Sequence, residues 1–260
     1  MLKRLFFVGA AIAAAGAAFA YVQGRALFKT WGVDPGEQSK PLPGDDVVPE
    51  AEAVLTRGID IAAPPEKVWP WLVQMGYGRA GWYSYDQLDM NKPSADRIIP
   101  ELQALAVGDT VPTHPGGGFE VKVLEDGRAL VLYADRALMM AQAAEKPEGI
   151  EQESANVKMT GMYLDANMRG DFRASWAFVL EPKVDGTTRF IQRFRGWMSA
   201  PDAAKPGMTP PPPARTMLLF GIFVMMRRQM IGIRDRAEGR PIKQGGALDW
   251  KGLGDRFARA

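Results

Sequence analysis

The sequence predicts an α+β fold, a curved antiparallel sheet wrapped around a long C-terminal helix. Three features lead there. Several segments alternate apolar and polar residues with period two, the pattern of strands with one buried face. One short helix follows the first strand directly, opened by prolines. Late in the chain an apolar stripe keeps helical spacing over nineteen residues, Leu219 to Ala237. The chain has 260 residues, 47% of them hydrophobic and 24% charged. That is ordinary globular composition with room for one large domain or two small ones.

The first strand is expected at Ala53–Ile61, rich in branched residues. It stops at Ala62-Ala63-Pro64-Pro65-Glu66, where proline suits a first helical turn and Glu66 complements the helix dipole. Val68, Trp71, Leu72 and Met75 then follow at i, i+3, i+4, i+7, predicting an amphipathic helix that ends at Gly76 and bends at Pro70. Phe119, Val121 and Val123 alternate, Asp126-Gly127 turns the chain, and Ala129–Ala134 returns as the partner strand. A second hairpin pairs a strand carrying Phe172, Ala174, Trp176, Phe178 and Leu180 on one face with Thr187–Trp197, turned by Asp185-Gly186. Pro210–Pro213 stiffens the approach to the last helix as polyproline II, and that helix runs from about Arg215 to Glu238. One stripe, Leu219, Phe223, Met226, Met230, Ile233 and Ala237, spans it; a second, Met217, Phe220 and Val224, is available for another contact. Its central apolar run is too short to cross a membrane.

Composition removes several chemistries. There is no cysteine, so disulfides, thiolate metal sites and a cysteine nucleophile are excluded. His114 is the only histidine, and it lies in Thr113-His-Pro-Gly-Gly-Gly118, which reads as a hairpin connection; no metal and no cofactor is expected. A net charge of +2 is too balanced for a nucleic-acid partner.

At the N-terminus, Lys3-Arg4 precede eighteen uncharged residues, Leu5 to Val22, and Ala18-Phe19-Ala20 resembles a cleavage site. Residues 1–20 are therefore expected to be a secretory signal peptide or a retained membrane anchor. Either reading places the rest of the chain outside the cytoplasm, periplasmic, secreted or tethered to the membrane by the N-terminal segment. Residues 21–51 read as a linker, 52–238 as one domain, and 239–260 as a polar C-terminal tail.

The segments Ile59-Asp-Ile-Ala-Ala-Pro-Pro-Glu-Lys-Val-Trp69 and Trp71-Leu-Val-Gln-Met-Gly-Tyr-Gly-Arg-Ala-Gly-Trp-Tyr-Ser-Tyr-Asp86 resemble the START-like helix-grip superfamily, SRPBCC, as does the hairpin from Ser175 to Phe190. That superfamily includes lipid-transfer START domains, birch-pollen-type allergens and polyketide cyclases. The resemblance covers about residues 52–238 and is to a bacterial subgroup without an assigned reaction. It implies a fold and a cavity rather than a chemistry. The export segment departs from the superfamily's many cytosolic members.

Arg79-Ala-Gly-Trp82-Tyr83-Ser84-Tyr85-Asp86 gathers three aromatic rings, a cation and an acid. Rings with polar tips suit a cavity mouth; the alternative packs Trp82 and Tyr85 as core and pairs Arg79 with Asp86. Arg189, Arg193 and Arg195 alternate with Phe190 and Phe194, so they form either a cationic patch for an acidic headgroup or a solvated outer face. Asp86, Asp89, Asp96 and Asp165 could each serve acid–base chemistry, but no feature selects a pair, and the serines lack a nucleophile elbow.

The expected function is binding of a hydrophobic small molecule, a lipid or isoprenoid-like compound. The ligand-binding residues are Arg79, Trp82, Tyr83, Tyr85, Asp86, Trp176, Phe178, Phe194, Leu219, Phe223, Met226 and Met230, with no catalytic residue assigned. The alternatives are a cyclase- or hydrolase-type enzyme using the same cavity and a non-catalytic domain that contacts a partner.

Overall fold

The structure, a computed structural model, describes residues 27–89, 92–114, 116–144, 171–199 and 212–242; at 87, 88, 143 and 212–219 it describes the backbone alone. The export segment, Asp165, Met217 and Leu219 as side chains, and most of the polar tail thus lie outside the described residues.

Six antiparallel strands form one sheet in the order β1-β6-β5-β4-β3-β2. They are β1 (Ala53–Ile61), β2 (Thr110–His114), β3 (Gly117–Glu125), β4 (Ala129–Asp135), β5 (Phe172–Pro182) and β6 (Thr188–Met198). The helices are α1 (Pro35–Ser39), α2 (Pro65–Val73), α3 (Asp86–Asp89), α4 (Arg136–Ala144) and α5 (Pro212–Ala237). Irregularities in register bend β2 and β3 between Pro112 and His114 and between Val121 and Val123. The six strands with these helices make an α+β fold.

The expected strands form within a few residues of their predicted bounds because the period-two pattern is strong. α2 ends at Val73 rather than Gly76, and Met75 is buried just beyond it. α5 begins at Pro212, so Pro212 and Pro213 occupy a first helical turn rather than a polyproline approach; a missing N–H costs nothing there.

Inner-face residues line up in rows across the strands. One row is Leu55–Phe194–Trp176–Leu132–Val121, the next Arg57–Gln192–Phe178–Leu130, and the next Ile59–Phe190–Leu180. α5 packs against α2 and β1. From α5, Phe223, Met230 and Ile233 join the main core with Phe178, Leu180 and Phe190. At Gly232 the helix approaches so closely that a Cβ would collide with the Tyr83 carbonyl oxygen.

The alternation predicted one buried face, but both faces are covered in the middle of the sheet. Ala129, Val131, Ala177, Val179 and Ile191 on the outer face pack with Leu42, Val47 and Val123 in a second cluster. Leu42 and Val47 come from the stretch expected to be a linker, which lies across the sheet instead. Asp34 opens α1 with a capping box, its side chain accepting from the Glu37 N–H at 2.8 Å while Glu37 reaches back to Asp34. Further upstream, Gly58 N–H donates to the Trp31 carbonyl, so the same segment also covers the β1 edge. Gly32, at φ 71, lies against the Gly58 carbonyl where a Cβ has no room.

Candidate functional site

The second inner row carries a polar pair in an apolar layer. Arg57 is 1% exposed. Its Nε and Nη2 donate to the Phe28 carbonyl at 3.0 and 2.6 Å, and Nη1 donates to Met226 Sδ at 2.9 Å. Its guanidinium also lies 5.8 Å from the Phe223 ring centroid. Among the described residues no carboxylate pairs with it, and burial lowers its pKa to about 10. Opposite Arg57 on β6, Gln192 is fully buried and donates through Nε2 to Gln229 Oε1 at 2.9 Å. Its own Oε1 has no partner among the described residues, and neither has Trp176 Nε1. Met226 touches Arg57, Met75 Sδ accepts from Gln229 Nε2 at 3.7 Å, and Met230 is buried in the main core; their unbranched thioether chains adapt to varied shapes.

An aromatic series runs along the same face. Trp82 stacks on Trp176 with centroids 5.6 Å apart and planes 11° apart. Trp176 also meets Phe178 at 4.7 Å and Phe119 at 6.0 Å. Phe178 stacks on Phe190 at 6.4 Å. Phe194 and Tyr85 are half-buried. Phe223 lies deeper, against Phe28 and Trp31 at 5.2 and 6.4 Å. The second stripe of α5 is not free either: Phe220 rests on Phe28 at 5.4 Å and Val224 is buried in the main core.

The segment from Arg79 to Asp86 is built differently from the expected entrance. Arg79 does not pair with Asp86; it donates to the carbonyls of Val73, Met75 and Leu102 at 3.0, 3.0 and 3.2 Å. The unsatisfied carbonyls at the end of α2 draw it there. Tyr83 is 1% exposed, in a left-handed backbone conformation at φ 58. Its hydroxyl accepts from Gln74 Nε2 at 3.0 Å, and Arg236 lies over its ring at 4.6 Å. Tyr83 therefore belongs to the packing between α2 and α5, while Trp82 reaches the inner face.

Asp86 Oδ1 accepts from the N–H and hydroxyl of Ser94 at 3.0 and 2.7 Å. Asp89, one turn later, is pushed up to a pKa of about 7, first by burial and then by the Asp86 charge, against a hydrogen bond from the Ser84 backbone. A carboxyl that binds its proton more tightly when folded stabilises the fold at pH below its unfolded value near 4. That contribution disappears as pH rises through about 7. Asp89→Asn should therefore match the parent in urea unfolding at pH 4 and exceed it by about 2–4 kcal/mol at pH 8. Equal stability of the two proteins at both pH values would refute the assignment.

The three arginines of β6 are neither a headgroup patch nor a solvated face. Arg193 is 3% exposed. It donates to Thr56 Oγ1, to the Glu37, Gln38 and Lys40 carbonyls and to Asp45, all at 2.7–3.0 Å. Arg189 binds both Glu37 carboxylate oxygens at 2.7 and 2.8 Å, and Arg195 donates to the Val48 carbonyl at 3.1 Å. The covering segment supplies the acceptors, so these charges hold it to the sheet.

His114 closes the β2–β3 connection, its Nδ1 accepting from the Gly116 N–H at 3.0 Å. Among the described residues no cluster of three histidine or carboxylate side chains could hold a metal, and no helix is long and apolar enough to cross a membrane.

Of the sequence-predicted site residues, the structure joins Trp82, Trp176 and Phe178 in one series and places Phe223, Met226 and Met230 on the facing helix. It does not bring Arg79, Tyr83 or Asp86 to that series. Arg57, Gln192 and Gln229 were missed. The signal for the first two was available: Arg57 shares parity with Leu55, Ile59 and Ile61, and Gln192 with Phe190 and Phe194.

No protein-family model matches the chain, and no curated protein matches it. Among solved structures, a Mesorhizobium loti protein aligns at 16% identity, covering 73% of this chain and 100% of its own, with a TM-score of 0.36. The Zhui aromatase/cyclase of a Streptomyces species aligns at 9% identity over 72% of this chain and 92% of its own, with a TM-score of 0.27. A Thermus thermophilus protein aligns at 10% identity over 72% and 98%, also at 0.27. None of these scores reaches 0.5, so none decides the fold or an activity for this chain.

Proposed function

We propose that the protein binds a hydrophobic small molecule, lipid- or isoprenoid-like, between the sheet and α5 in a helix-grip arrangement, and that residues 1–20 direct it out of the cytoplasm. The observation that carries the binding reading is the set of polar groups left uncompensated inside an aromatic and methionine-rich layer: Arg57, Gln192 Oε1 and Trp176 Nε1. Buried polar groups without partners are costly. Ligand sites are where apolar walls carry a few such groups. A neutral apolar fluorophore, N-phenyl-1-naphthylamine, titrated into the full-length chain should bind saturably at one site and be released on unfolding in urea. Absence of saturable binding would reject the reading. Fractionating cells and sequencing the N-terminus of the same protein tests export: Tyr21 as the first residue supports it, and the full chain in soluble cytoplasm refutes it.

A cyclase- or hydrolase-type enzyme is the second reading. One observation favours it: Asp89, with a pKa of about 7, lies beside Asp86 in the segment that carries Trp82. A carboxyl whose proton is held up to near neutral pH is suited to act as a general acid. Turnover of a co-purifying ligand, lost in Asp89→Asn, separates the enzyme from the binder.

A further inference from the structure

Apart from the Phe223 ring, Arg57 has no charge-compensating group among the described residues. Its guanidinium has five N–H donors. Three contacts are made, two to one carbonyl and one to a thioether, which is a weak acceptor. A buried cation is normally paired with an anion, because its desolvation is otherwise uncompensated. No acid among the described residues offsets this one.

The neighbouring row position supplies a second donor. Gln192 lies directly across from Arg57 on the adjacent strand, where Cβ atoms come within about 5 Å of each other. Its bond to Gln229 can reverse direction in place, because both partners are amides, with Gln229 Nε2 giving up its 3.7 Å contact to Met75 Sδ. Gln229 Nε2 then donates to the Gln192 Oε1 that has no partner now, and Gln192 Nε2 is released. Phe178, Leu130 and Trp176 continue the inner face away from this pair and offer only carbon surface and one indole N–H.

We propose that the ligand of the interior is a single-chain amphiphile whose acidic head, a carboxylate, is seated on Arg57 and Gln192 with its tail along Phe178 and the methionines of α5. The proposal rests on the hydrophobic-ligand reading and names the ligand's class. Arg57 is the one cation in these inner-face rows, and one guanidinium balances one negative charge. A phosphate monoester, with about −1.5 to −2 charges, would leave excess charge in the same apolar layer.

The test compares straight-chain carboxylates of roughly 8 to 16 carbons, a range of tails matched to a drug-sized site, with the primary alcohols of the same lengths. Each is titrated calorimetrically into the full-length chain at pH 8. The best carboxylate should bind saturably and at least about tenfold more tightly than its alcohol, the difference expected of a charge-assisted contact. Arg57→Met should abolish that preference while alcohol affinity holds. Arg57→Lys should keep part of it, and Gln192→Leu should reduce it. Because the comparison of acid with alcohol uses the parent protein, it stands even if a variant does not fold. Equal affinity of acid and alcohol for the parent overturns the head assignment and leaves the apolar site intact. Binding of neither, together with failure of the neutral fluorophore, overturns both.

Discussion

Arg193→Ala should lower the free energy of unfolding by about 3–5 kcal/mol, the range for breaking a buried charge pair by removing one partner. Besides the Asp45 carboxylate, four further acceptors share the guanidinium. Three of them are backbone carbonyls, at Glu37, Gln38 and Lys40, which lose their donor when the side chain is removed. Arg193→Lys should rescue little, since an ammonium cannot span a fork of acceptors on opposite sides. Arg189→Ala should cost less, because that side chain is 19% exposed and water replaces part of what it binds. Urea unfolding gives the magnitudes. Limited proteolysis gives the location, with Arg193→Ala opening cleavage near Lys29 and Lys40 before the sheet is cut. A change below about 1 kcal/mol would show that the covering segment contributes little to stability.

Trp176→Ala should destabilise by about 3–5 kcal/mol, and Trp176→Phe by only about 1–2. The ring is held by Trp82, Phe119 and Phe178, so truncation removes three aromatic contacts and opens a space that the strands cannot collapse into. Phenylalanine keeps most of that contact and also deletes the indole N–H that has no partner. Chemical denaturation of the two variants checks the pair. Equal losses would mean that the N–H is satisfied in solution and that the aromatic series does not set the packing.

The elements that were legible in the sequence are those whose own periodicity names their partners. Phe172 to Leu180 carries an apolar residue at every second position, Thr187 to Trp197 repeats that parity at Phe190 and Phe194, and they became β5 and β6. β2 was missed because five residues containing Pro112 and His114 carry no such signal. The segment from Leu27 to Glu50 was illegible for a different reason. It is held by arginine side chains reaching backbone carbonyls, and carbonyls look alike at every position of a sequence. The site was half legible. Trp82, Trp176 and Phe178 were found as aromatics, but Arg57 was read past because a charge inside a strand is ordinarily solvent-facing. Its parity said otherwise. Arg79 was matched to the nearest acid in sequence, whereas the end of α2 offered it the Val73 and Met75 carbonyls and a later segment that of Leu102.

The pairing of β1 with β6 fixes an order of events for a chain made from its N-terminus. Leu55 waits for Phe194, and Lys40 waits for Arg193, so β1 and the segment that covers the sheet lack these partners until nearly two hundred residues have been synthesised. Contacts this distant in sequence form slowly, since the intervening loop must close before they return any energy. The β3–β4 hairpin, joined by a single tight turn, is free to form early and serve as a template. During that interval β1 is an unpaired strand carrying Leu55, Ile59 and Ile61, the kind of segment that aggregates or recruits a chaperone. The first strand to be made is thus among the last to be paired.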